Sequence, residues 1–234
     1  MDGGAQGLLF GLSGGIDSAV VAKLCQLAFP QRVLGVILPC YSHPQDEADA
    51  RLVATTFGIP VARVDLGPTF DALTDSLSHA VRGLPSHVET VDIKQQLPEA
   101  NVKPRLRMAS LYFLANSLNY LVAGTGNRSE ITLGYYTKYG DGGVDVLPIG
   151  GLLKSEVYAL ARELGVPEPI MTKPPTAGLW VGQTDEAEMG FSYDMLEAYL
   201  AKGASAVPAH VAKRIEQLRA SSNHKRMMPA IAPI

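Results

Sequence analysis

The chain has 234 residues, of which 47% are hydrophobic, enough to bury one sizeable core. Its 20 basic and 23 acidic side chains give a formal net charge of −3, which argues against non-specific nucleic-acid binding, since that needs a strongly basic face. No apolar run approaches the ~20 residues that span a bilayer, and no signal sequence is recognisable. We therefore expect a cytoplasmic protein that binds neither nucleic acid nor membrane. Cys25 and Cys40 do not form a Cys-x-x-Cys pair, which argues against a disulfide or zinc site.

Strand and helix patterns alternate along the first 125 residues. Apolar runs predict strands, one ending near Leu12 and others over residues 33–38, 61–66 and 120–123. Helical spacing follows each of the first three strands and precedes the last, which predicts helices over residues 19–27, 45–57, 70–81 and 104–118. In the second helix we expect Ala48, Leu52 and Val53 to face the core, and in the last we expect Pro104 to lie in the first turn.

Buried strands separated by helices predict an α/β fold, a doubly wound parallel sheet with helices on both faces. Ligands bind such sheets beyond the carboxyl ends of the strands. Residues 11–18, 39–43 and 124–130 all fall at these ends.

The rest of the chain is predicted to be less regular. Residues 83–99 lack periodicity and are expected to be mobile, and residues 134–151, rich in glycine and tyrosine, are expected to form a loop over the site. A helix is predicted over 154–164, an irregular segment with four prolines over 166–183, and two helices over 184–201 and 205–220. No repeat or long linker divides the chain, which predicts a single domain over residues 1–234.

The most informative stretch is residues 11–18, Gly-Leu-Ser-Gly-Gly-Ile-Asp-Ser, at the junction of the first strand and first helix. A Ser-Gly-Gly turn there can aim several backbone N–H groups at one point, where the helix N-terminus adds partial positive charge, so the turn suits a phosphate. A carboxylate beside a phosphate repels it unless a cation lies between them, which predicts Mg²⁺ at Asp17. The alternative is an ordinary glycine-rich turn with Asp17 as a helix cap. The stretch matches neither the Walker pattern nor the dinucleotide fingerprint.

Two further clusters carry charge near predicted strand or helix ends. Arg105 and Arg107 lie near a helix start, where they are either solvated or able to bind a phosphate or carboxylate bidentately. Glu130, in Gly-Thr-Gly-Asn-Arg-Ser-Glu, either favours a helix N-terminus or supplies a second carboxylate to the metal predicted at Asp17.

Two later segments also carry candidate side chains. The glycine-rich loop 134–145 combines tyrosines with Lys138, Asp141 and Asp145, a mixture that suits a planar, polar ligand. The run Asn223-His224-Lys225-Arg226 is either a solvated tail or a segment that folds back onto substrate phosphates.

Together these segments resemble the ammonia-dependent NAD synthetases of the ATP pyrophosphatase superfamily, from residue 8 to about residue 230. The motifs that carry the resemblance are Ser-Gly-Gly-Ile-Asp-Ser, Asn-x-x-x-Arg-x-Arg-Met, Gly-Thr-Gly-Asn-x-Ser-Glu, Gly-Tyr-x-Thr-Lys-Tyr-Gly-Asp, Lys-Ser-Glu-Val-Tyr, Pro-Thr-Ala-x-Leu, Asp-Glu-x-Glu-Met-Gly and His-Lys-Arg.

The resemblance implies an adenine nucleotide α-hydrolase-like fold with a helical C-terminal part. It implies a ligase that amidates deamido-NAD (nicotinic acid adenine dinucleotide) with ammonia through an adenylated intermediate, giving NAD, AMP and pyrophosphate. ATP would be the co-substrate, Mg²⁺ the cofactor and a homodimer the assembly.

The resemblance also implies roles for matching positions. The implied ATP-binding residues are Gly11, Leu12, Ser13, Gly14, Gly15, Ile16, Asp17, Ser18, Thr125, Lys154 and Thr176. The implied deamido-NAD-binding residues are Arg105, Lys138, Asp145, His224 and Lys225. The implied metal ligands are Asp17 and Glu130, with Asp141 a candidate for a second ion, and the catalytic residues are Asp17, Lys154 and Asp145.

Three positions depart from the family pattern. Only ten residues precede Gly11, Pro104 stands where a small residue is common, and Gly178 replaces an acidic residue. Residue 2 is Asp2 rather than a nucleophilic cysteine, and the chain has no room for a glutaminase domain, so free ammonia is the expected nitrogen donor. The alternatives are a tRNA-modifying adenylase, a GMP-synthetase-type subunit or a non-catalytic nucleotide sensor.

Overall fold

The structure is a computed structural model that describes residues 4–88, 96–176, 178, 180 and 182–232. Its sheet has the strand order β3-β2-β1-β4, and each neighbouring pair is parallel. The strands are β1 (Gly7–Gly11), β2 (Val33–Ile37), β3 (Val61–Arg63) and β4 (Tyr120–Val122). The third strand is shorter than the apolar run over 61–66 predicts.

Helices connect and cover these strands. Their bounds are α1 (Ile16–Ala28), α2 (Pro44–Phe57), α3 (Gly67–Arg82), α4 (Gln96–Leu118), α5 (Arg128–Leu133), α6 (Lys154–Glu163), α7 (Glu168–Met171), α8 (Asp185–Met189), α9 (Tyr193–Lys202), α10 (Ala209–Ser221) and α11 (Asn223–Arg226), with a 3-10 turn over Ala204–Ala206. None of the helices within the described residues is long and apolar enough to cross a membrane.

The sheet is covered on both faces because successive strand side chains point to opposite sides. Phe10 joins a core with residues of α1, α2 and α6, whereas its neighbour Leu9 joins a second core with Leu111 and Ala115 of α4. A third core packs α9 and α10 against Leu133 of α5. The predicted doubly wound α/β fold with a helical C-terminal part is therefore confirmed.

The connections create a topological switch point. The chain moves from β1 to β2 to β3 in one direction and then returns to place β4 on the other side of β1. The loops that follow β1 and β4 consequently diverge and leave a crevice at the carboxyl ends of these two strands. Doubly wound sheets bind ligands in such a crevice. Residues 11–18 and 123–127 border that crevice.

The structure corrects the predicted inward face of α2. Val53 is buried as expected, but Ala48 is exposed and Leu52 is 39% exposed. The buried positions instead include Asp49 and Ala50. A hydrophobic pattern could not predict this face, because one of its buried residues is Asp49, whose carboxylate binds Lys173.

The start of α4 is also corrected. The helix begins at Gln96, so Pro104 lies inside it and not in its first turn. Pro104 is buried, and Asn101 in the preceding turn accepts a hydrogen bond from the Thr137 hydroxyl at 2.8 Å. This tertiary contact holds a turn whose backbone hydrogen bonding the proline weakens. Of the predicted irregular stretch 83–99, residues 96–99 are therefore helical, 83–88 are not, and 89–95 lie outside the described residues.

The predicted helix over 184–201 is two helices. Gly190 ends α8 with a φ of +87°, a left-handed conformation that favours glycine, and Ser192 caps α9 by accepting a hydrogen bond from the Met195 N–H. The predicted irregular segment 166–183 contains the short helix α7, and its residues 177, 179 and 181 lie outside the described part. The loop over 134–151 has no helix, as predicted.

Candidate active site

Residues 11–18, called here the Ser-Gly-Gly loop, turn sharply between β1 and α1. Gly14 has a φ of +81°, and a Cβ there would lie 2.5 Å from the Asp46 carbonyl oxygen and 2.8 Å from the Asp49 Cβ. The buried Ser18 hydroxyl donates to the Gly15 carbonyl at 2.9 Å and accepts from the Ser13 N–H at 3.3 Å. The loop is thus fixed from inside by Ser18 and from behind by α2.

A compact charge cluster lies at the start of α1. The Lys154 Nζ lies 2.5 Å from the Asp17 Oδ2 and 3.7 Å from the Glu130 Oε1. The lysine side chain is only 3% exposed, whereas Asp17 and Glu130 retain 19% and 17% exposure. Three residues far apart in the sequence therefore converge on one point, with the cation held between the two carboxylates.

Asn127 aligns the two carboxylates. Its side-chain amide donates to Asp17 Oδ1 at 3.0 Å, while its carbonyl oxygen accepts from the Glu130 N–H at 3.0 Å. Glu130 Oε2 in turn accepts from the Asn127 N–H at 3.1 Å, which completes a capping box at α5. Sequence reasoning missed Asn127, although the Asn-x-x-Glu spacing was a readable signal for this cap.

The electrostatics of the cluster follow from burial and mutual repulsion. Burial raises the pKa of Glu130 above its usual range, and the nearby Asp17 carboxylate raises it further. Burial would lower the pKa of Lys154, but the attraction of Asp17 and Glu130 outweighs it and raises that pKa, so the lysine stays charged.

Asp185 and Tyr193 border the cluster and were also missed by sequence reasoning. The Lys154 Nζ lies 5.2 Å from the centre of the Tyr193 ring, and the Tyr193 hydroxyl donates to Asp185 Oδ2 at 2.9 Å. Asp185 Oδ1 is buried with no hydrogen-bond partner among the described residues. Burial raises the pKa of Asp185.

The donors present fit a magnesium ion. Mg²⁺ is commonly bound by one or two carboxylates, with waters and substrate phosphates completing its shell. Asp17 and Glu130 provide two such carboxylates around one cation position. No group of three or more metal-ligating side chains occurs in the described part of the chain, so Asp141 is not brought to this pair.

A cavity of about 840 Å³ opens above the Ser-Gly-Gly loop, within the size range of small-molecule sites. Predicted site residues that line it are Gly11, Leu12, Ser13, Gly15, Ile16, Asp17, Ser18, Thr125, Glu130, Asp141, Lys154, Thr176 and Lys225. Gly14 faces α2 instead. Arg107 also lines the cavity, where it donates to the Leu38 carbonyl at 3.1 Å and to the Ser42 hydroxyl at 3.2 Å.

The basic run near the C-terminus folds back onto the loop 134–145. The Lys225 Nζ donates to the carbonyls of Gly134 at 2.7 Å and Tyr136 at 2.6 Å. The Lys138 Nζ donates to the His224 carbonyl at 2.7 Å, and the Arg105 guanidinium donates to the Lys138 carbonyl at 3.4 Å. The run is therefore not a free tail, and its predicted contact with substrate phosphates stays a prediction.

Both carboxylate oxygens of Asp145 accept hydrogen bonds. Its Oδ2 accepts from the Val122 N–H at 2.8 Å, and its Oδ1 accepts from the Tyr112 hydroxyl at 2.9 Å. Burial raises the pKa of Tyr112, and the hydrogen bond that its hydroxyl donates to Asp145 raises it further. Arg105, Lys138, Asp145 and His224 lie outside the cavity lining, so the structure does not bring them together with Asp17 and Lys154.

Comparison with known proteins places the chain in a family. Residues 1–229 match the family model described as NAD synthase. The chain belongs to the NAD synthase family.

Relatives and solved structures cover nearly the whole chain. The NH(3)-dependent NAD(+) synthetase of Carboxydothermus hydrogenoformans is 50% identical over 227 residues, which are 97% of this chain and 89% of that protein. The structure of the NMN synthetase from Francisella tularensis matches with a TM-score of 0.89 and 37% identity, covering 100% of this chain and 91% of that one. The NH3-dependent NAD synthetase from Campylobacter jejuni matches with a TM-score of 0.78 and 29% identity, covering 99% and 91%. The resemblance in the sequence is thereby confirmed.

Proposed function

We propose that this chain is a carbon–nitrogen ligase that amidates the nicotinate carboxylate of deamido-NAD with ammonia, and that it converts ATP to AMP and pyrophosphate. The observation that carries the proposal is the Asp17–Lys154–Glu130 cluster, which lies beside the Ser-Gly-Gly loop at the switch point of the sheet. A phosphate nest next to carboxylates and a buried cation suits a reaction between anions.

The ATP phosphates are assigned to the Ser-Gly-Gly loop, whose backbone N–H groups and helix N-terminus favour negative charge. Lys154, Thr125 and Thr176 line the same cavity and are assigned to ATP with it. Mg²⁺ bound by Asp17 and Glu130 would neutralise phosphate charge when present.

The first chemical step joins two substrates that are both anionic. A carboxylate oxygen of the nicotinate ring attacks the α-phosphorus of ATP, and the bond from that phosphorus to the bridging oxygen breaks, with its electron pair leaving on pyrophosphate. The attacking carboxylate is already ionised at pH 7, so the protein need supply no nucleophile. The charged Lys154 stabilises the negative charge that gathers on pyrophosphate, and the loop fixes the approach of the two reactants.

In the second step ammonia attacks the activated carbonyl carbon, AMP leaves with one of the original carboxylate oxygens, and the nitrogen releases a proton. Asp141 and Asp145 are the two carboxylates that could take up this proton. Asp141 lines the cavity, whereas both oxygens of Asp145 already accept hydrogen bonds. We assign the proton to Asp141 and keep Asp145, with Arg105, Lys138, His224 and Lys225, as a proposed part of the deamido-NAD site.

Amidation of nicotinate mononucleotide is a second candidate function. It is favoured by the TM-score of 0.89 to a structure named as an NMN synthetase, against 0.78 for a structure named as an NAD synthetase. Both substrates present the same carboxylate, so the cluster alone does not select between them. The mononucleotide lacks the adenylate half of deamido-NAD, so the two substrates differ in size and not in the reacting group.

A homodimer is part of the proposal. On α3, Leu73, Leu77 and Val81 recur every four residues and are 38%, 48% and 53% exposed, so they form an apolar stripe on one helix face. On the neighbouring helix α4, Phe113 is 72% exposed. A second copy of the chain is the proposed cover for this surface. Leu77→Asp and Phe113→Asp should shift the mass measured by light scattering from dimer to monomer.

The test of function is an incubation with ATP, Mg²⁺, ammonium and either deamido-NAD or nicotinate mononucleotide, scored by chromatography. Equal amounts of NAD and AMP, with a higher kcat/KM for deamido-NAD, are expected. A higher kcat/KM for the mononucleotide would support the second candidate. Glutamine in place of ammonium should give no product, since no glutaminase activity is proposed for residues 1–234.

Two outcomes would contradict the proposal. AMP without an amidated product would mean that the enzyme acts on another substrate, and no ATP consumption would favour a nucleotide sensor.

A further inference from the structure

Lys173 lies at the edge of the cavity, apart from the Asp17–Lys154–Glu130 cluster. Its Nζ donates to Asp46 Oδ1 at 2.8 Å and to Asp49 Oδ2 at 2.7 Å. The lysine is 127 and 124 positions from these partners in the chain, so the contact is tertiary. It ties the segment after α7 to the first turns of α2.

The contact of Lys173 with the two aspartates is partly buried. The Asp49 side chain is 7% exposed, and its second oxygen accepts from the Gln45 side chain at 2.8 Å. Burial opposes the charge of Asp49, but the hydrogen bonds from Gln45 and Lys173 outweigh it and lower the pKa of Asp49. Burial likewise opposes the charge of Lys173, and the bonds to Asp46 and Asp49 raise its pKa. The charged contact therefore persists at neutral pH.

The two aspartates lie directly behind the Ser-Gly-Gly loop. The Asp46 carbonyl oxygen and the Asp49 Cβ are the atoms that a Cβ on Gly14 would meet first. Lys173 thus binds the same turn of α2 that supports Gly14. A displacement of α2 would displace the Ser-Gly-Gly loop, because Asp46 and Asp49 of α2 pack directly against Gly14.

On its other side Lys173 leads into the segment that carries Thr176. Pro174 and Pro175 follow, which restricts the backbone between the lysine and the threonine. The Pro175 carbonyl accepts from the Asp185 N–H at 3.2 Å, so the segment is attached at a second point, at the start of α8. Thr176 lines the cavity just beyond these two attachments.

We propose that Lys173 is a positioning residue, which holds the Thr176 segment against α2 and so aligns Thr176 with the Ser-Gly-Gly loop for the ATP phosphates. This inference rests on the proposed use of the loop for ATP. Lys173 acts through Thr176 and the aspartates, and contact with the nucleotide is not required.

Trp180 provides a direct readout of this segment. It is the one tryptophan of the chain, lies four residues after Thr176 and lines the cavity at 38% exposure. Titration of the full chain with ATP, followed by Trp180 fluorescence, should give a Kd that rises about tenfold in Lys173→Met, the loss expected from a charge-assisted hydrogen bond. The KM for ATP should rise in parallel, while the KM for deamido-NAD stays within about twofold.

Two controls separate positioning from general effects. Lys213→Met removes an exposed lysine of α10 and should leave both constants unchanged. Lys173→Arg keeps the positive charge and offers several N–H donors to Asp46 and Asp49, so it should recover most of the ATP affinity.

A third variant separates positioning from simple charge. In Asp46→Asn/Asp49→Asn the negative charge behind the loop is lost while Lys173 remains, so a purely electrostatic effect predicts tighter ATP binding. Positioning predicts weaker binding, because the ion pairs that hold the segment are gone.

The inference is overturned if Lys173→Met binds ATP like the wild type, if ATP binds more tightly to Asp46→Asn/Asp49→Asn, or if Lys173→Met loses ATP and deamido-NAD affinity equally. A wild-type chain that binds ATP but makes no amidated product would instead overturn the proposed function, and the Trp180 titrations would still decide the role of Lys173.

Discussion

Replacement of Lys154 tests the central cluster most directly. Lys154→Met keeps a similar side-chain length but leaves Asp17 and Glu130 facing each other without the cation that now lies 2.5 and 3.7 Å from them. Removing one partner of a buried ion pair costs about 3–5 kcal/mol. Because the two carboxylates keep some solvent contact, we expect the lower end, about 3 kcal/mol.

The expected loss corresponds to a fall in Tm of about 6–12 °C for a chain of this size. Added Mg²⁺ should recover several degrees in Lys154→Met and fewer in the wild type, because the divalent ion replaces the missing charge between the carboxylates. Turnover should fall by about 10²-fold or more, since the leaving pyrophosphate loses its nearest cation. Differential scanning fluorimetry with and without Mg²⁺ measures the first two effects, and AMP release measures the third.

Lys213→Met serves as the matched control, since it removes an exposed lysine distant from the cluster. A Lys154→Met variant that melts at the wild-type temperature, or that gains no more from Mg²⁺ than the wild type, would refute the claim that the lysine holds the two carboxylates together.

Three further predictions concern neighbours of Lys154. Asp17→Asn still offers an oxygen to the Asn127 side chain but removes the negative charge, so AMP release should fall about 10²-fold. Circular dichroism should show unchanged secondary structure, and near-normal AMP release would contradict the metal assignment. Gly14→Ala places a Cβ 2.5 Å from the Asp46 carbonyl at a φ of +81°, so both Tm and ATP affinity should fall, whereas Gly151→Ala, where nothing lies within 4 Å, should change neither. The raised pKa of Glu130 means that the folded state disfavours its ionised form, so the wild type should lose stability as pH rises above 4.5. Glu130→Gln cannot ionise and should therefore become more stable relative to the wild type over this rise. A difference in Tm that does not change with pH would count against this.

Only part of the candidate site could be predicted from local sequence patterns. The Ser-Gly-Gly loop could be located from eight consecutive residues, because a strand-to-helix turn with glycines has few backbone solutions and one clear use. Lys154 followed only from resemblance to a family, because it lies in no pattern that by itself requires a phosphate. For Glu130 the residues alone left two readings open, a helix N-terminus or a second carboxylate for a metal. For Asp145 the catalytic role implied by the resemblance stays a prediction, and the structure adds that its oxygens accept hydrogen bonds from Val122 and Tyr112.

The sequence by itself determined the alternation of apolar strands and helices, the class of the fold and the loop after β1, since each depends on residues that are neighbours in the chain. Only the tertiary structure decided that Lys154 lies between Asp17 and Glu130, that Asn127 joins the loops after β1 and β4, and that Lys173 pairs with Asp49. The contacts of Lys154 and Asn127 with Asp17 and of Lys173 with Asp49 join residues more than a hundred positions apart, and Lys154 and Glu130 lie on separate helices, so no periodicity encodes these contacts. The order of strands in the sheet determines which carboxyl ends lie side by side, and therefore which residues come into contact.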